Sequence, residues 1–362
     1  MKNLKWIGVL VLTAACGAVE QDGLDSDTDD LSSTTFSMEM VRANPSLLPN
    51  VTPPKDVRVD GRARQETSIE GAMRQPLAQP GDFLYTVNQL GQFLQLPDPA
   101  VHHDDKGDAT YSRQPGDLFE ENGKLDWLDV EQGHLGDCYF AASLAAVLYA
   151  DNGKALSQNM IVPRLKNGKI VSYYATFHQA SGRKVRVEVD PDLLHRNTNG
   201  HVLYMRNTQT RPGYEAWSTS LIEKAYAKWH GSYEKIGNGG TAADAIHALT
   251  GKTTRYYDAS DSSVIPAIEK AGKEGRAQVA CTYGEHSGVK YPVGIYADHC
   301  YTLRGIHRVG AKVFVQLRNP WGPGSASDAE PTEPPTDGVP DALFEISQAD
   351  FARLYNSVDI VP

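Results

Sequence analysis

A seven-residue stretch, Gln-Gly-His-Leu-Gly-Asp-Cys at 132–138, limits the possible folds more than any other part of the sequence. Gly136 and Asp137 favour a turn, and the run that follows, CYFAASLAAVLYA at 138–150, is rich in Ala and Leu and lacks Gly and Pro. The pattern predicts a helix with Cys138 at or near its N-terminus. Unpaired backbone N–H groups and the helix dipole favour a thiolate there. Cys138 is therefore a candidate nucleophile, although a cysteine in such a helix could equally be a small buried side chain.

Two later segments favour the catalytic interpretation. His299 opens the strand-like run HCYTLRG, and Asn319 follows the alternating run VFVQLR at 313–318. If the two strands are neighbours, His299 and Asn319 meet at one edge of a sheet. The histidine would then accept the thiol proton of Cys138, and the carboxamide of Asn319 would hold the other ring nitrogen and fix the tautomer. Gln132 is expected to supply one oxyanion donor, with the backbone N–H of Cys138 as the other.

The remaining periodicity predicts an α+β protein. The run KVRVEVD at 184–190 alternates, which predicts a strand with Val185, Val187 and Val189 directed inward. Helices are predicted at 215–229, 241–249, 262–271 and 347–354, and strands at 278–282, 299–306 and 312–318. Helices precede most strands along the chain, which is typical of an α+β fold and not of a regular βα alternation.

Five stretches together resemble the calpain family of cysteine peptidases. They are Gln-Gly-x-Leu-Gly-Asp-Cys at 132–138, Trp-Ser-x-x-Leu-Ile-Glu-Lys-Ala-Tyr-Ala-Lys at 217–228, Gly-Ser-Tyr-Glu at 231–234, Leu-Thr-Gly at 249–251 and Arg-Asn-Pro-Trp-Gly at 318–322. These stretches occur in the order and with the spacing of that family.

The resemblance implies a papain-like protease core of two subdomains. A helical subdomain at 81–255 would carry the nucleophile Cys138. A strand-rich subdomain at 256–362 would carry His299 and Asn319, with the cleft between the two subdomains. The implied activity is hydrolysis of protein or peptide substrates by an endopeptidase that forms an acyl-enzyme.

Five further positions are interpreted through the same resemblance. Trp321 is expected to pack beside the catalytic histidine, and Gly240 matches a family glycine that lets the substrate backbone lie close. Tyr139 stands where the family usually has Trp, and activity is expected to survive this change. Asp298 replaces a glycine that lines the cleft, so its carboxylate would disfavour acidic substrates or narrow the cleft. Cys300 replaces a small residue and is expected to be buried and inert, without a disulfide to the nucleophile.

In calpains the protease core binds calcium, which aligns the two subdomains. Asp129 and Glu215 match the carboxylates of the first core site, and backbone carbonyl groups near Asn122 and Lys124 would complete it. Oxygen ligands of this kind suit calcium, although the two carboxylates could instead be solvated or salt-bridged. A second site would use the acidic loop at 328–341, which is shortened relative to the family and is more simply explained as solvated. Nothing in the sequence resembles an EF-hand loop.

The N-terminus has the features of an export signal. Lys2 and Lys5 precede an apolar stretch at 6–12, and small residues then lead to Cys16. The apolar stretch is too short to span a bilayer as a permanent helix. Residues 1–16 resemble the signal and lipobox of bacterial lipoproteins, in which the cysteine is acylated. The protein is therefore expected to be exported and lipid-anchored in the cell envelope, and an ordinary cleaved signal is the alternative.

The segment at 17–80 is acidic at its start and rich in Ser, Thr and Pro. It is expected to be an unstructured tether, because it buries too little apolar surface to offset its ordering entropy. A propeptide that blocks the site is the alternative. The four cysteines show neither the spacing of a zinc site nor that of a small disulfide scaffold.

Net charge and the catalytic residues limit the possible functions. The formal net charge of −10 argues against nucleic acid as the main partner. Transglutamination or deamidation would use the same three residues, and the match at 217–234 favours a peptidase over these reactions. A binding protein that kept the fold and lost the chemistry is a third possibility. The joint presence of Gln132, Cys138, His299 and Asn319 argues against it.

Overall fold

The computed structural model describes most of the chain beyond residue 91. The described residues are 92–114, 118–119, 125–151, 159–166, 169–207, 216–292, 294–322 and 342–362, with the backbone of three earlier strands at 56–59, 62–65 and 83–85. Several predicted features lie outside this part of the chain. They are the signal and Cys16, the carbonyl groups near Asn122 and Lys124, Glu215, and the acidic loop at 328–341.

Six α-helices are present among the described residues. They are α1 (Cys138–Asp151), α2 (Ser218–His230), α3 (Tyr233–Gly237), α4 (Ala242–Thr250), α5 (Val264–Lys273) and α6 (Gln348–Leu354). Helix α2 ends where Gly231 adopts a left-handed conformation, and Thr241 caps α4 by accepting a hydrogen bond from the Asp244 N–H. The five predicted helices are confirmed, and α3 is additional. None of these helices combines the length and the apolar character needed to cross a bilayer.

Seventeen strands accompany the helices in the part of the chain that the structure describes. In chain order β1 to β17 they are Asp56–Val59, Arg62–Gln65, Phe83–Tyr85, Gln92–Leu94, Ala109–Arg113, Val130–Glu131, Ile161–Lys166, Lys169–His178, Lys184–Val189, Asp192–Arg196, Arg206–Asn207, Arg255–Asp258, Gln278–Thr282, Cys300–Val309, Lys312–Arg318, Leu343–Ser347 and Tyr355–Ile360. Short 3₁₀ helices occur at His103–Asp105, Trp127–Asp129 and Glu285–Ser287.

A six-stranded antiparallel sheet carries the predicted histidine and asparagine segments. Its strand order is β12-β17-β13-β14-β15-β16. Strand β14 begins directly after His299, and β15 ends directly before Asn319. The two strands pair, with Thr302 opposite Arg318, so His299 and Asn319 emerge at the same edge of the sheet. The predicted adjacency of these two strands is confirmed.

A second, five-stranded sheet lies in the N-terminal half, with the order β3-β4-β9-β8-β7. Val185, Val187 and Val189 of β9 are fully buried, as the alternation predicted. The helical label for 81–255 is therefore incomplete. Strands β7 and β8 lie in long apolar and aromatic runs without a clean period of two, because much of each strand is buried on both faces.

The backbone at 56–65 also departs from the sequence interpretation, which expected no structure at 17–80. Strands β1 and β2 pair antiparallel there, with Val59 opposite Arg62. The Asp-Gly dipeptide between them, at 60–61, is the residue pair that favours a tight hairpin turn. This local signal could have been identified in the sequence.

The buried apolar residues of the described chain form two hydrophobic clusters. The larger one surrounds α1 and draws most of its members from residues 94–249. The smaller one lies under the six-stranded sheet and uses residues 259–360, including Ile268, Tyr301 and Phe351. Helix α1 packs against β14, where the Thr302 hydroxyl donates to the Ala142 carbonyl at 2.8 Å. The α+β class predicted from the sequence is confirmed, and the two clusters leave a cleft along the amino end of α1.

Candidate active site

Cys138 is the first residue of α1. The Asp137 carbonyl accepts the N–H groups of Phe140 and Ala141, at 2.8 and 3.1 Å, which starts the helix. Gly136 is required just before it, because a Cβ there would collide with the Gly237 carbonyl oxygen. The chain therefore turns tightly and delivers the thiol to the cleft, as the sequence predicted.

His299 and Asn319 are joined directly, with 2.9 Å between histidine Nε2 and carboxamide Oδ1. A second contact fixes the orientation of the carboxamide. The backbone N–H of Trp321 lies 3.1 Å from the same atom, and because an N–H can only donate, that atom must be the oxygen Oδ1. Oδ1 therefore accepts two hydrogen bonds, and Nε2 of His299 carries the proton. This tautomer leaves Nδ1 free to act as a base.

Aromatic rings enclose the His299 imidazole. Trp321 packs 4.6 Å from it, centroid to centroid, and Tyr301 and Tyr296 approach edge-on at 4.8 and 6.2 Å. His299 is 4% exposed, and this burial lowers its pKa to about 4, with the Asn319 hydrogen bond as the opposing influence. The imidazole is therefore neutral at neutral pH.

The Cys138 thiol is also neutral in this structure. Burial raises its pKa to about 11, while the backbone N–H groups of Cys300 and Tyr139 act in the opposite direction. The thiol lies 3.8 Å from the Asp298 carbonyl oxygen, and no hydrogen bond joins it to the His299 ring among the described residues. The predicted preference for the thiolate is thus not met at rest, because burial outweighs the helix N-terminus when no cation faces the sulfur.

Gln132 lies beside the nucleophile in a fixed orientation. Its backbone N–H donates to the Pro320 carbonyl at 2.8 Å, and its Nε2 donates to the Leu135 carbonyl at 2.6 Å. A carboxamide nitrogen carries two hydrogens, so one remains after the bond to Leu135. Gln132 therefore retains a donor for an oxyanion.

The cleft between the two hydrophobic clusters has a volume of about 1360 Å³ and contains Gln132, Cys138, Gly240, Asp298, His299 and Trp321 in its walls. A Cβ at Gly240 would lie 2.5–2.8 Å from the Tyr139 ring, so any larger residue would require that ring to shift. The structure thus brings six of the predicted site residues into one cleft. The cleft is large enough for an extended peptide segment.

Asp298 combines an unusual backbone with a structural hydrogen bond. Its φ is 50°, in the left-handed region that favours glycine. Its Oδ2 accepts the Glu285 N–H at 2.9 Å. The carboxylate therefore holds the loop before β14, in addition to lining the cleft as expected.

Cys300 is buried, as expected, and its sulfur is bonded to a cysteine other than the nucleophile. It forms a disulfide with Cys281, and the two residues are opposite each other on β13 and β14. The spacing of 19 residues carries no sequence signature, because only the strand register brings the two sulfur atoms together. Cys138 is the free cysteine of the described residues.

Thr282 is a contributor that the sequence analysis missed. Its Oγ1 accepts the His299 N–H at 3.1 Å and donates to the Tyr296 carbonyl at 2.7 Å. The Thr282 N–H also donates to the His299 carbonyl at 2.9 Å. Thr282 thereby holds the histidine backbone, and nothing in the local sequence identifies this role.

Asp129 is the described member of the predicted calcium pair, since Glu215 lies outside the described residues. Asp129 is 4% exposed, and its Oδ2 accepts the Asp126 N–H at 2.8 Å in a capping box. Arg318 donates to the carbonyl groups of Leu128 and Val130, at 3.2 and 2.6 Å, on either side of it. A carboxylate oxygen is a type of ligand that suits calcium.

Comparison with known proteins links this cleft to one family. A family model described as calpain family cysteine protease matches residues 108–331. Calpain-B of Drosophila melanogaster is 33% identical over 251 residues, which cover 64% of this chain and 25% of that protein. Calpain-9 of Homo sapiens is 27% identical over 302 residues, which cover 77% of this chain and 40% of that protein. The chain thus matches between about a quarter and two fifths of the length of these relatives.

Proposed function

Because this chain belongs to the calpain family of cysteine proteases, we propose that it hydrolyses peptide bonds in proteins through a thioester acyl-enzyme. The observation that carries the proposal is the His299–Asn319 hydrogen bond, 2.9 Å long, in the cleft that contains the Cys138 thiol. This bond makes Nδ1 the basic nitrogen of the imidazole, which an acyl transfer by a cysteine requires.

The acylation step begins from a neutral thiol and a neutral imidazole. As the sulfur of Cys138 attacks the scissile carbonyl carbon, its proton passes to Nδ1 of His299. The carbonyl oxygen becomes an oxyanion, which the free N–H of Gln132 and the backbone N–H of Cys138 stabilise. Collapse of this intermediate breaks the C–N bond, and His299 returns the proton to the leaving amine. The product is a thioester on Cys138.

Deacylation repeats the same proton movements with water. His299 takes a proton from a water molecule as that water attacks the thioester carbonyl, and it later protonates the departing sulfur of Cys138. Asn319 holds the imidazole throughout and stabilises the protonated ring, because its Oδ1 keeps accepting from Nε2. Trp321 packs against the imidazole, and the burial of His299 and Asn319 limits the access of water to this hydrogen bond.

The decisive experiment is hydrolysis of casein or a peptide by the whole chain and by its Cys138→Ala variant. We expect wild-type hydrolysis and loss of hydrolysis in the variant. Mass spectrometry of the products separates chain cleavage from side-chain deamidation or cross-linking. Side-chain modification without cleavage would contradict the peptidase proposal. Absence of any Cys138 labelling by a thiol-directed inhibitor would indicate an inactive binding protein.

We also propose that calcium promotes activity, as calpains are generally calcium-regulated. Asp129 and Glu215 would hold the ion, which would supply a positive charge there. Arg318 donates hydrogen bonds to the backbone on both sides of Asp129 and directly precedes Asn319. The position of Asn319 therefore depends on that of the segment around Asp129. Chelation should lower kcat in wild type, and Asp129→Asn should lower both the calcium response and the calcium affinity measured by calorimetry. Full activity in chelator would contradict this proposal.

A further proposal concerns location, namely export and anchoring through acylated Cys16. The sequence at 1–16 and the Cys281–Cys300 disulfide support it, because such bonds persist mainly in oxidising compartments outside the cytosol. Labelling with an alkyne fatty acid should modify wild type but not Cys16→Ser. Equal labelling of both proteins would contradict anchoring at this cysteine.

A further inference from the structure

Two buried carboxyl groups lie in contact beneath the nucleophile. Asp137, which directly precedes Cys138, is fully buried, and Glu223 of α2 is 1% exposed. The two carboxyl groups are close enough to influence each other's titration. The Met205 N–H donates to both oxygens of Glu223, at 3.1 and 3.2 Å, whereas the carboxyl oxygens of Asp137 accept from no neighbouring amide or hydroxyl.

In the part of the chain that the structure describes, no positive charge acts on either carboxyl group. The titratable groups in electrostatic contact with either carboxyl group are one thiol and four phenols, all neutral at pH 7. They are Cys138 and Tyr139 on α1, Tyr226 on α2, Tyr204 on the segment before β11, and Tyr233 on α3. The nearby cations are engaged elsewhere, Arg206 with Glu131 and Lys224 with Asp190. Two adjacent carboxylates cannot both remain ionised in such surroundings.

We propose that Asp137 and Glu223 share one proton, and that this shared proton positions the Cys138 end of α1. Both are positioning residues for the peptidase reaction proposed above, and the inference rests on that function. Burial raises the pKa of the Asp137 carboxyl to about 7, and that of Glu223 well above its ordinary range. The pair titrates as a unit, so the proton belongs to neither residue alone.

The pair connects three parts of the site. The Asp137 carbonyl starts α1, and Glu223 anchors the pair to α2. The Met205 N–H ties Glu223 to a segment whose Leu203 carbonyl accepts the His134 N–H at 2.9 Å, close to Gln132. Loss of the shared proton would place two negative charges beneath the thiol. Because the Asp137 charge already raises the Cys138 pKa, this loss would suppress thiolate formation and separate α1 from α2.

The test uses isosteric carboxamides in the full chain. In Glu223→Gln the amide donates permanently to Asp137, and in Asp137→Asn it donates to Glu223, so neither variant can lose that hydrogen atom as pH rises. We expect both variants to keep kcat/KM at pH 6 within about threefold of wild type. The alkaline limb of their pH profiles should move upward by at least about half a pH unit. Glu188→Gln, a carboxyl-to-carboxamide change on β9 bonded to Gln95, should follow the wild-type profile.

Alkylation of Cys138 by iodoacetamide provides a second readout that needs no peptidase activity. The pH dependence of alkylation should shift in the same direction in both variants, even if no peptide substrate is cleaved. Failure of this inference can therefore be distinguished from failure of the proposed peptidase function. Alkylation and kcat/KM profiles of Glu223→Gln that superimpose on wild type would overturn the proposal.

Infrared spectroscopy of wild-type protein keeps the proposal testable if the variants do not fold. With ¹³C-labelled carboxyl groups, a band from a protonated carboxyl should be present at pH 7 and disappear at alkaline pH. The same band should persist in Asp359→Asn, which removes another carboxyl whose pKa burial raises. Absence of a protonated carboxyl in wild type at pH 7 would overturn the proposal.

Discussion

His299 lines the cleft but is almost fully buried. It is buried beneath Trp321 and Tyr301, yet in the proposed mechanism it accepts and releases a proton in each catalytic cycle. The hydrogen bond from Nε2 to Asn319 suits the imidazole to this role, because it fixes which nitrogen is basic without adding a negative charge. Asn319 therefore determines which nitrogen of His299 can act as the base.

Replacing Asn319 should impair the chemical step more than substrate binding. In Asn319→Ala the imidazole loses its acceptor and both tautomers become available, so kcat should fall by about 10²-fold with little change in KM. Asn319→Asp retains an acceptor for Nε2 and should lose less activity. Steady-state kinetics on one peptide substrate measure both variants. A wild-type kcat in Asn319→Ala would contradict the assigned role.

Gly240 is constrained by the Tyr139 ring and not by its own backbone. Gly240→Ala would place a methyl group 2.5–2.8 Å from that ring, which should cost about 1–3 kcal/mol of unfolding free energy through overpacking. In a Tyr139→Ala background the same substitution should cost much less, because the ring is gone. Urea denaturation of the four proteins gives the coupling. Equal costs in both backgrounds would show that the contact is unimportant.

At the scale of elements, the β13–β14 pair supports the histidine. Hydrogen bonds of Thr282 hold the His299 backbone. The Cys281–Cys300 disulfide links the two strands at the adjacent pair of residues. The histidine lies at the strand end and not within a flexible loop. Its position thus depends on the register of two paired strands.

Removing the disulfide should lower global stability while leaving the catalytic thiol in place. We expect Cys281→Ala/Cys300→Ala to lose about 3 kcal/mol of unfolding free energy, since the closed loop spans 19 residues. Reductant should destabilise wild type by a similar amount and leave the double variant unchanged. Guanidinium denaturation with and without reductant measures both effects. Equal stability of wild type and double variant would contradict this expectation.

At the scale of the whole molecule, His299 and the Asp137–Glu223 pair change the stability of the protein in opposite directions as the pH changes. His299 has a lowered pKa, so its contribution to stability is present above its ordinary pKa of 6.5 and is lost as pH falls through about 4. The Asp137–Glu223 pair has raised pKa values, so its contribution is largest at acid pH and is lost as pH rises through about 7. The two effects partly offset each other between these limits.

Comparison with His299→Gln isolates the histidine contribution, provided that both proteins carry Cys138→Ala to prevent self-cleavage. Between pH 7 and about pH 4, the protein with His299 should lose up to about 3 kcal/mol more unfolding free energy than the glutamine variant. Urea denaturation at each pH provides the values. Parallel stability curves for the two proteins would show that burial of the neutral imidazole carries no such cost.

Short-range patterns in the sequence determined the local elements and the identity of the reactive groups. The turn before Cys138, the α1 helix, the alternating valines of β9, and the His299 and Asn319 strands all follow from residue types at fixed spacing. The five family stretches added the likeness to calpains, which the family match to residues 108–331 confirms.

Tertiary structure alone decided everything that depends on strand register and burial. The Cys281–Cys300 bond, the support from Thr282 and the contact between Asp137 and Glu223 join residues distant along the chain. The protonation of Cys138 was also decided there, since the helix N-terminus favours a thiolate and burial favours the thiol. Which influence prevails depends on how much water and charge surround the sulfur, and those surroundings exist only once the chain has folded.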